Sequence, residues 1–217
     1  MNENKVKELN KILGVDESYK ATDTMFRIIY DRKQREEIMK KLLKFFNNDV
    51  SFDWFRDYFE CEQAERKTKK QDFTPQELTD LLSNIVGNSN FTFDCCCGTG
   101  GIVITKWNND KNLKTIFNYK PSDYFYYCEE ISDKAIPFLL FNLALRGMNA
   151  IVCHCDSISR KCKGVFFVYN EKDDYLGFST INLMPYNEKT EKEFRVSFTD
   201  FRYNKLVESQ RPKEIML

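Results

Sequence analysis

The sequence predicts an α/β fold with a helical N-terminal lobe, and three observations carry that expectation. Phe91 to Gly101 reads as a β-favouring run that ends in an acidic residue, passes through a small-residue turn and opens into an apolar helical segment, Ile102 to Trp107. Two further runs, Tyr124 to Ile131 and Ala150 to Asp156, read as strands ending in carboxylates, with a helix from Ser132 to Arg146 between them. Residues 1 to about 65 carry apolar positions at helical spacing. At 217 residues and 42% hydrophobic content, the chain can bury the core of one such domain.

In chain order, Asn4 to Leu13 is a short amphipathic helix stopped near Gly14. Thr22 to Phe46 reads as one long helix, with Met25, Ile28, Ile29, Ile38, Leu42, Leu43 and Phe46 on one face. Ser51 or Asp53 can cap the next helix, whose aromatic face is Trp54, Phe55, Tyr58 and Phe59. Thr74, Pro75 and Glu77 then form a capping box ahead of Leu78, Leu81, Leu82, Ile85 and Val86, with a stop near Gly87. The expected division is a helical lobe over 1–70, an α/β domain over 71–195 and a tail over 196–217.

Composition excludes several classes. Lysine plus arginine equals aspartate plus glutamate, 33 each, so no overall positive charge advertises nucleic-acid binding. The local basic run Arg66-Lys67-Thr68-Lys69-Lys70 reads first as a solvated helix end. No stretch is long and apolar enough to span a bilayer, the N-terminus has no signal-peptide pattern, and the expectation is a cytoplasmic protein. Eight cysteines meet a single histidine, His154, without Cys-x-x-Cys pairs, so no metal site is expected. In a reducing compartment the thiols read as small apolar residues at strand ends.

The turn after Asp94 needs glycine, because backbone there must enter dihedrals closed to a Cβ and a ligand can then approach the main chain. The helix N-terminus behind it favours an anionic group. Glu130, with Glu129 in reserve, ends the second strand, where a carboxylate can accept ribose hydroxyls.

Phe73-Thr74-Pro75, one helix, and then Asp94-Cys95-Cys96-Cys97-Gly98-Thr99-Gly100-Gly101 resemble the adenine-N6 DNA methyltransferases, particularly the modification subunits of type I restriction systems. In that family a Phe-Thr-Pro turn and an Asp-Pro-x-Cys-Gly-Thr-Gly loop hold S-adenosylmethionine. The resemblance implies a Rossmann-like methyltransferase fold and a cofactor site made of Phe73, Thr74, Asp94, Cys97, Gly98, Gly100, Glu130 and Asp156. Glu130-Ile131 is similar to the family's Glu-Ile-Asn step, and Asp156-Ser157 to its Gly-Asp-Ser step near the adenine amino group. Cys95 stands where the family usually has proline. These matches cover roughly residues 71–157.

The family's acceptor motif, Asn/Asp-Pro-Pro-Tyr/Phe, uses its amide or carboxylate to bind the target amino group and its aromatic to stack on the flipped base. Here Leu183-Met184-Pro185-Tyr186 stands in its place. Leu183 accepts no hydrogen bond, Met184 replaces the first proline, and Asn182 lies one residue early, which points it to the other face of a strand.

The sheet is also expected to be truncated. If Gly177 to Asn182 lies beside the glycine-loop strand, too little chain follows for three more strands and a DNA-reading segment. Alternatively, Val165 to Tyr169 and Tyr175 to Ile181 form a hairpin around Asn170 to Asp174. Either arrangement leaves an edge for the tail or another chain to cover, as in a homodimer or with a protein partner. The expectation is a degraded, cofactor-binding accessory protein. The alternative is an active subunit that reaches DNA through a partner. RNA or small-molecule methylation is a third class, against which the Phe-Thr-Pro segment counts.

Overall fold

A computed structural model describes residues 3–62 and 89–209. The helices are α1 (Glu3–Leu13), α2 (Ala21–Tyr30), α3 (Arg32–Phe45), α4 (Arg56–Glu62), α5 (Gly101–Asn112), α6 (Ile136–Leu145) and α7 (Glu188–Phe194). The strands are β1 (Phe91–Asp94), β2 (Phe125–Glu130), β3 (Ala150–Cys155), β4 (Lys161–Tyr169), β5 (Thr180–Leu183) and β6 (Ser197–Phe198). The Rossmann-like α/β class is as expected. The capping box at Thr74 and the basic run at 66–70 lie outside the described residues.

The sheet order is β1-β2-β3-β4-β5, with β6 beside β4. β1, β2 and β3 are parallel and joined by helical crossovers, whereas β4 is antiparallel to both β3 and β5. Of the two arrangements open to the sequence, the hairpin is the one formed. Phe166 faces Leu183 and Tyr169 faces Thr180. Because β5 again runs in the direction of β1, its C-terminal end lies at the same rim as the glycine turn. It is four strand spacings away, roughly 19 Å at about 4.8 Å each.

Strand alternation sorts the core into two layers. Tyr126, Cys128, Ala150, Val152, Phe166, Val168, Ile181 and Leu183 join the core shared with the helices. Ile151, Cys153, Cys155, Val165, Phe167 and Met184 form the opposite layer, closed by Phe194 of α7 and Val196. Helix α6 is buried at all ten positions, since α2 and α3 pack on the side turned away from the sheet. A helix apolar all round needs such a site. Among the described residues the helical lobe has no separate core, because Leu9, Met25, Met39 and Trp54 belong to the same cluster as Phe138 and Phe141.

The expected long helix over 22–46 is two helices. Asp31 takes an extended backbone, φ −111° and ψ 93°, and its side chain caps α3 by accepting from the Gln34 N–H at 3.0 Å. An internal N-cap breaks a helix whose apolar spacing continues across it. Asp53 is likewise not the cap of α4: its Oδ1 accepts from the Phe55 N–H at 3.0 Å in the turn ahead of that helix.

The tail covers the β5 edge. Leu183 N–H donates to the Leu206 carbonyl at 2.7 Å, and Ile181 N–H donates to Glu208 Oε2 at 2.8 Å. Glu208 in turn receives both Arg35 Nη atoms, at 2.8 and 2.6 Å, so the tail also closes on α3.

Candidate functional site

The C-terminal ends of β1, β2 and β3 converge, which is where open α/β sheets bind ligands. After β1 the chain turns sharply. Gly98 has φ +56° and Gly100 φ +104°, and a Cβ on Gly100 would lie 3.0 Å from Leu139 Cδ1. The turn is closed by Gly100 N–H donating to the Cys97 carbonyl at 2.8 Å and pinned to β2 by Cys97 N–H on the Glu129 carbonyl at 3.0 Å. Cys97 Sγ donates to the Asp94 carbonyl at 3.0 Å, so the buried thiol is an internal tie of the turn. Cys95 and Cys96 are exposed.

Two carboxyl groups face this turn. Asp94 Oδ1 accepts from the Cys96 N–H at 3.0 Å, while its Oδ2 is buried without a partner. Glu130 receives the Gly98 N–H on Oε2 and the Ser132 N–H on Oε1, both at 2.7 Å. Burial raises both groups above their ordinary carboxyl values, and the backbone donors oppose it. Strand alternation separates the two glutamates at the end of β2. Glu130 shares the face of Cys128, and Glu129 points to the opposite layer, where Arg160 Nη1 donates to it at 2.8 Å.

The loop after β3 joins the same rim. Ser157 Oγ donates to the Cys95 carbonyl at 2.7 Å. Asp156 is occupied locally, accepting from Ile158 N–H at 2.9 Å and Ser159 Oγ at 2.7 Å, and the Ile158 amide holds its pKa below the ordinary value. Exposed Ile131 and Ile158 add apolar surface beside these polar groups. Thus Asp94, Cys97, Gly98, Gly100 and Glu130 form one cluster, with Asp156 at its rim. Phe73 and Thr74 lie outside the described residues.

Leu183-Met184-Pro185-Tyr186 is not part of that cluster. Leu183 faces the helix-side core and Met184 the opposite layer. Tyr186 donates to the Lys163 carbonyl at 2.8 Å and accepts from Tyr203 N–H at 2.9 Å. Its ring sits 4.7 Å from that of Phe198, with the Arg202 guanidinium 4.6 Å away on its face. Asn182 is fully buried and accepts from the Glu208 and Ser209 N–H groups at 2.8 and 3.1 Å. Its amide is committed to the tail.

One set of polar residues behind the turn escapes the sequence pattern. Asp53, Thr99, Asn142 and Arg146 are buried together. Asn142 and Arg146 are polar positions on or beside an otherwise apolar helix, and that exception is the signal that could have found them.

A family model for N-6 DNA methylases matches residues 50–214. Neither a curated protein nor a solved structure matches the chain.

Proposed function

Because the chain belongs to the N-6 DNA methylase family, we propose that it binds S-adenosylmethionine at the rim of β1, β2 and β3 and serves as an accessory module without methyl transfer of its own. One observation carries the binding reading: Asp94 Oδ2 is buried without a hydrogen-bond partner at the start of the glycine turn to which Glu130 is hydrogen-bonded. An orphaned buried carboxylate oxygen is costly and calls for a donor. Each Glu130 oxygen holds one backbone N–H and retains a lone pair for a ribose hydroxyl. Ile131 and Ile158 offer apolar contact to an adenine ring, and glycines 98 and 100 let the main chain come close.

When bound, the cofactor supplies a sulfonium methyl group. Among the described residues, the motif position places no acceptor beside it. Methyl transfer to an exocyclic amine needs oriented polar groups that hold the amine in line. Leu183 provides none, Asn182 is spent on the tail, and Tyr186 is held by Lys163 and Tyr203. The proposed setting is restriction or other DNA-modifying machinery, with DNA reached through a protein partner. Free thiols at Cys95 and Cys96 favour a reducing compartment, and the cytoplasm is the proposed location.

A second reading has one observation in its favour. β1 is the end strand among the described residues, with Phe91 and Phe93 about half exposed. A partner strand seated there would stand where the reaction needs its acceptor, making the chain one half of an active enzyme. Titration calorimetry with S-adenosylmethionine tests the shared premise. Saturable heat supports it, and no heat at millimolar ligand with folded protein removes it. Mixing with a candidate partner separates the two readings.

A further inference from the structure

We propose that Asp53, in the segment that precedes α4, is a positioning residue that sets the glycine turn for the cofactor; this rests on the S-adenosylmethionine reading. Asp53 Oδ2 accepts from Thr99 Oγ1 at 2.5 Å, and Thr99 lies between the two glycines that adopt positive φ. Asn142 Nδ2 donates to Asp53 Oδ1 and to the Thr99 carbonyl, both at 2.8 Å. The turn is thus gripped at its side chain and at its main chain by one carboxylate and one amide.

The rest of the assembly fixes Asp53 itself. Arg146 Nη1 donates to the Asn142 carbonyl at 2.9 Å and to its Oδ1 at 3.0 Å, which orients the amide so that its N–H groups face Asp53 and Thr99. The same guanidinium donates to the carbonyls of Val50 and Phe52, at 2.9 and 2.5 Å. Trp54 Nε1 on the Asp49 carbonyl at 2.6 Å and the stack of Trp54 on Phe46 hold the segment from the lobe side. Arg146 supplies the charge that balances Asp53, and burial lowers it only to about 10, so it remains a cation at neutral pH.

The chemistry of the pair explains why a carboxylate is needed. Thr99, Asn142 and the Phe55 N–H all donate to Asp53, on its two oxygens, and only a carboxylate accepts on both sides with its charge strengthening each bond. Asp53→Asn keeps the shape and every other anchor of the segment, but the Thr99 hydroxyl must then turn to accept from the new amide, and the charged acceptor for its own proton is lost.

The full chain is compared as wild type, Asp53→Asn, Thr99→Val, Thr99→Ser and the Asp53→Asn/Thr99→Val pair. Two readouts are taken: hydrogen exchange at the amides of residues 97–101 without ligand, and S-adenosylmethionine affinity by calorimetry. Asp53→Asn and Thr99→Val should each speed exchange and weaken affinity by about tenfold or more. Thr99→Ser, which keeps the hydroxyl, should restore both, and the pair should cost no more than the worse single change. Unchanged exchange in folded Thr99→Val, or Thr99→Ser as impaired as Thr99→Val, would overturn the proposal. If wild type binds no cofactor, the binding reading fails, while the exchange comparison still decides whether Asp53 sets the turn.

Discussion

Gly98 N–H donates to Glu130 Oε2 at 2.7 Å, tying the glycine turn after β1 to the last residue of β2. This contact makes the two strand ends a single unit, and the carboxylate that closes it is also the proposed ribose acceptor. The affinity of the site therefore depends on the charge of Glu130. Burial raises both Glu130 and Asp94 from ordinary values of 4.5 and 3.8. For the free protein the sign is fixed: a raised carboxyl contributes stability below its ordinary value and loses it as pH rises through the raised one. Binding runs the other way, since the ionised carboxylate accepts hydroxyls. The melting-temperature rise given by S-adenosylmethionine should grow as pH rises from the ordinary carboxyl range through the raised value in wild type. In Glu130→Gln it should be smaller and flatter, as differential scanning calorimetry would show.

Gly100→Val should abolish cofactor binding. The residue has φ +104°, and a Cβ meets Leu139 at 3.0 Å, so valine strains the turn by about 1–3 kcal/mol and the turn must shift. Circular dichroism should show the helices retained while calorimetric heat disappears.

Arg35→Ala should destabilise the protein by about 3–5 kcal/mol, because Glu208 is then left as a buried charge without its partner. Arg35→Met with Glu208→Leu should recover much of that loss. Urea unfolding of the three proteins checks this order, and equal stability of the single and double variants would contradict it.

Among the described residues β1 is the end strand and carries exposed aromatics, and association through it is the expected outcome. Light scattering at high concentration should give a dimer, and Phe93→Lys should shift it toward monomer, because lysine on an edge opposes strand pairing. A wild-type monomer would direct attention to a different protein as the occupant of that edge.

Much of the rim formed by β1, β2 and β3 was legible in the sequence. Period-two alternation separates Asn182 from Leu183, the glycines mark the turn, and the preference for Glu130 over Glu129 rests on the family resemblance. Local pattern gave less where side chains act at a distance. Apolar spacing runs through Asp31, so one helix is read where a cap makes two. The place of β5 depends on pairing with β4, a non-local choice that leaves no periodicity of its own. Asp53 looks like a helix cap because its bond to Thr99 spans 46 positions.

The chain is proposed to keep a cofactor site and to place, among its described residues, no acceptor beside it. Purified protein incubated with DNA and S-adenosylmethionine tritiated in the methyl group tests both halves in one sample. Label should be retained with the protein in equilibrium dialysis, and none above background should appear in duplex or single-stranded DNA. Label in adenine of the DNA, abolished by Tyr186→Ala, would contradict it.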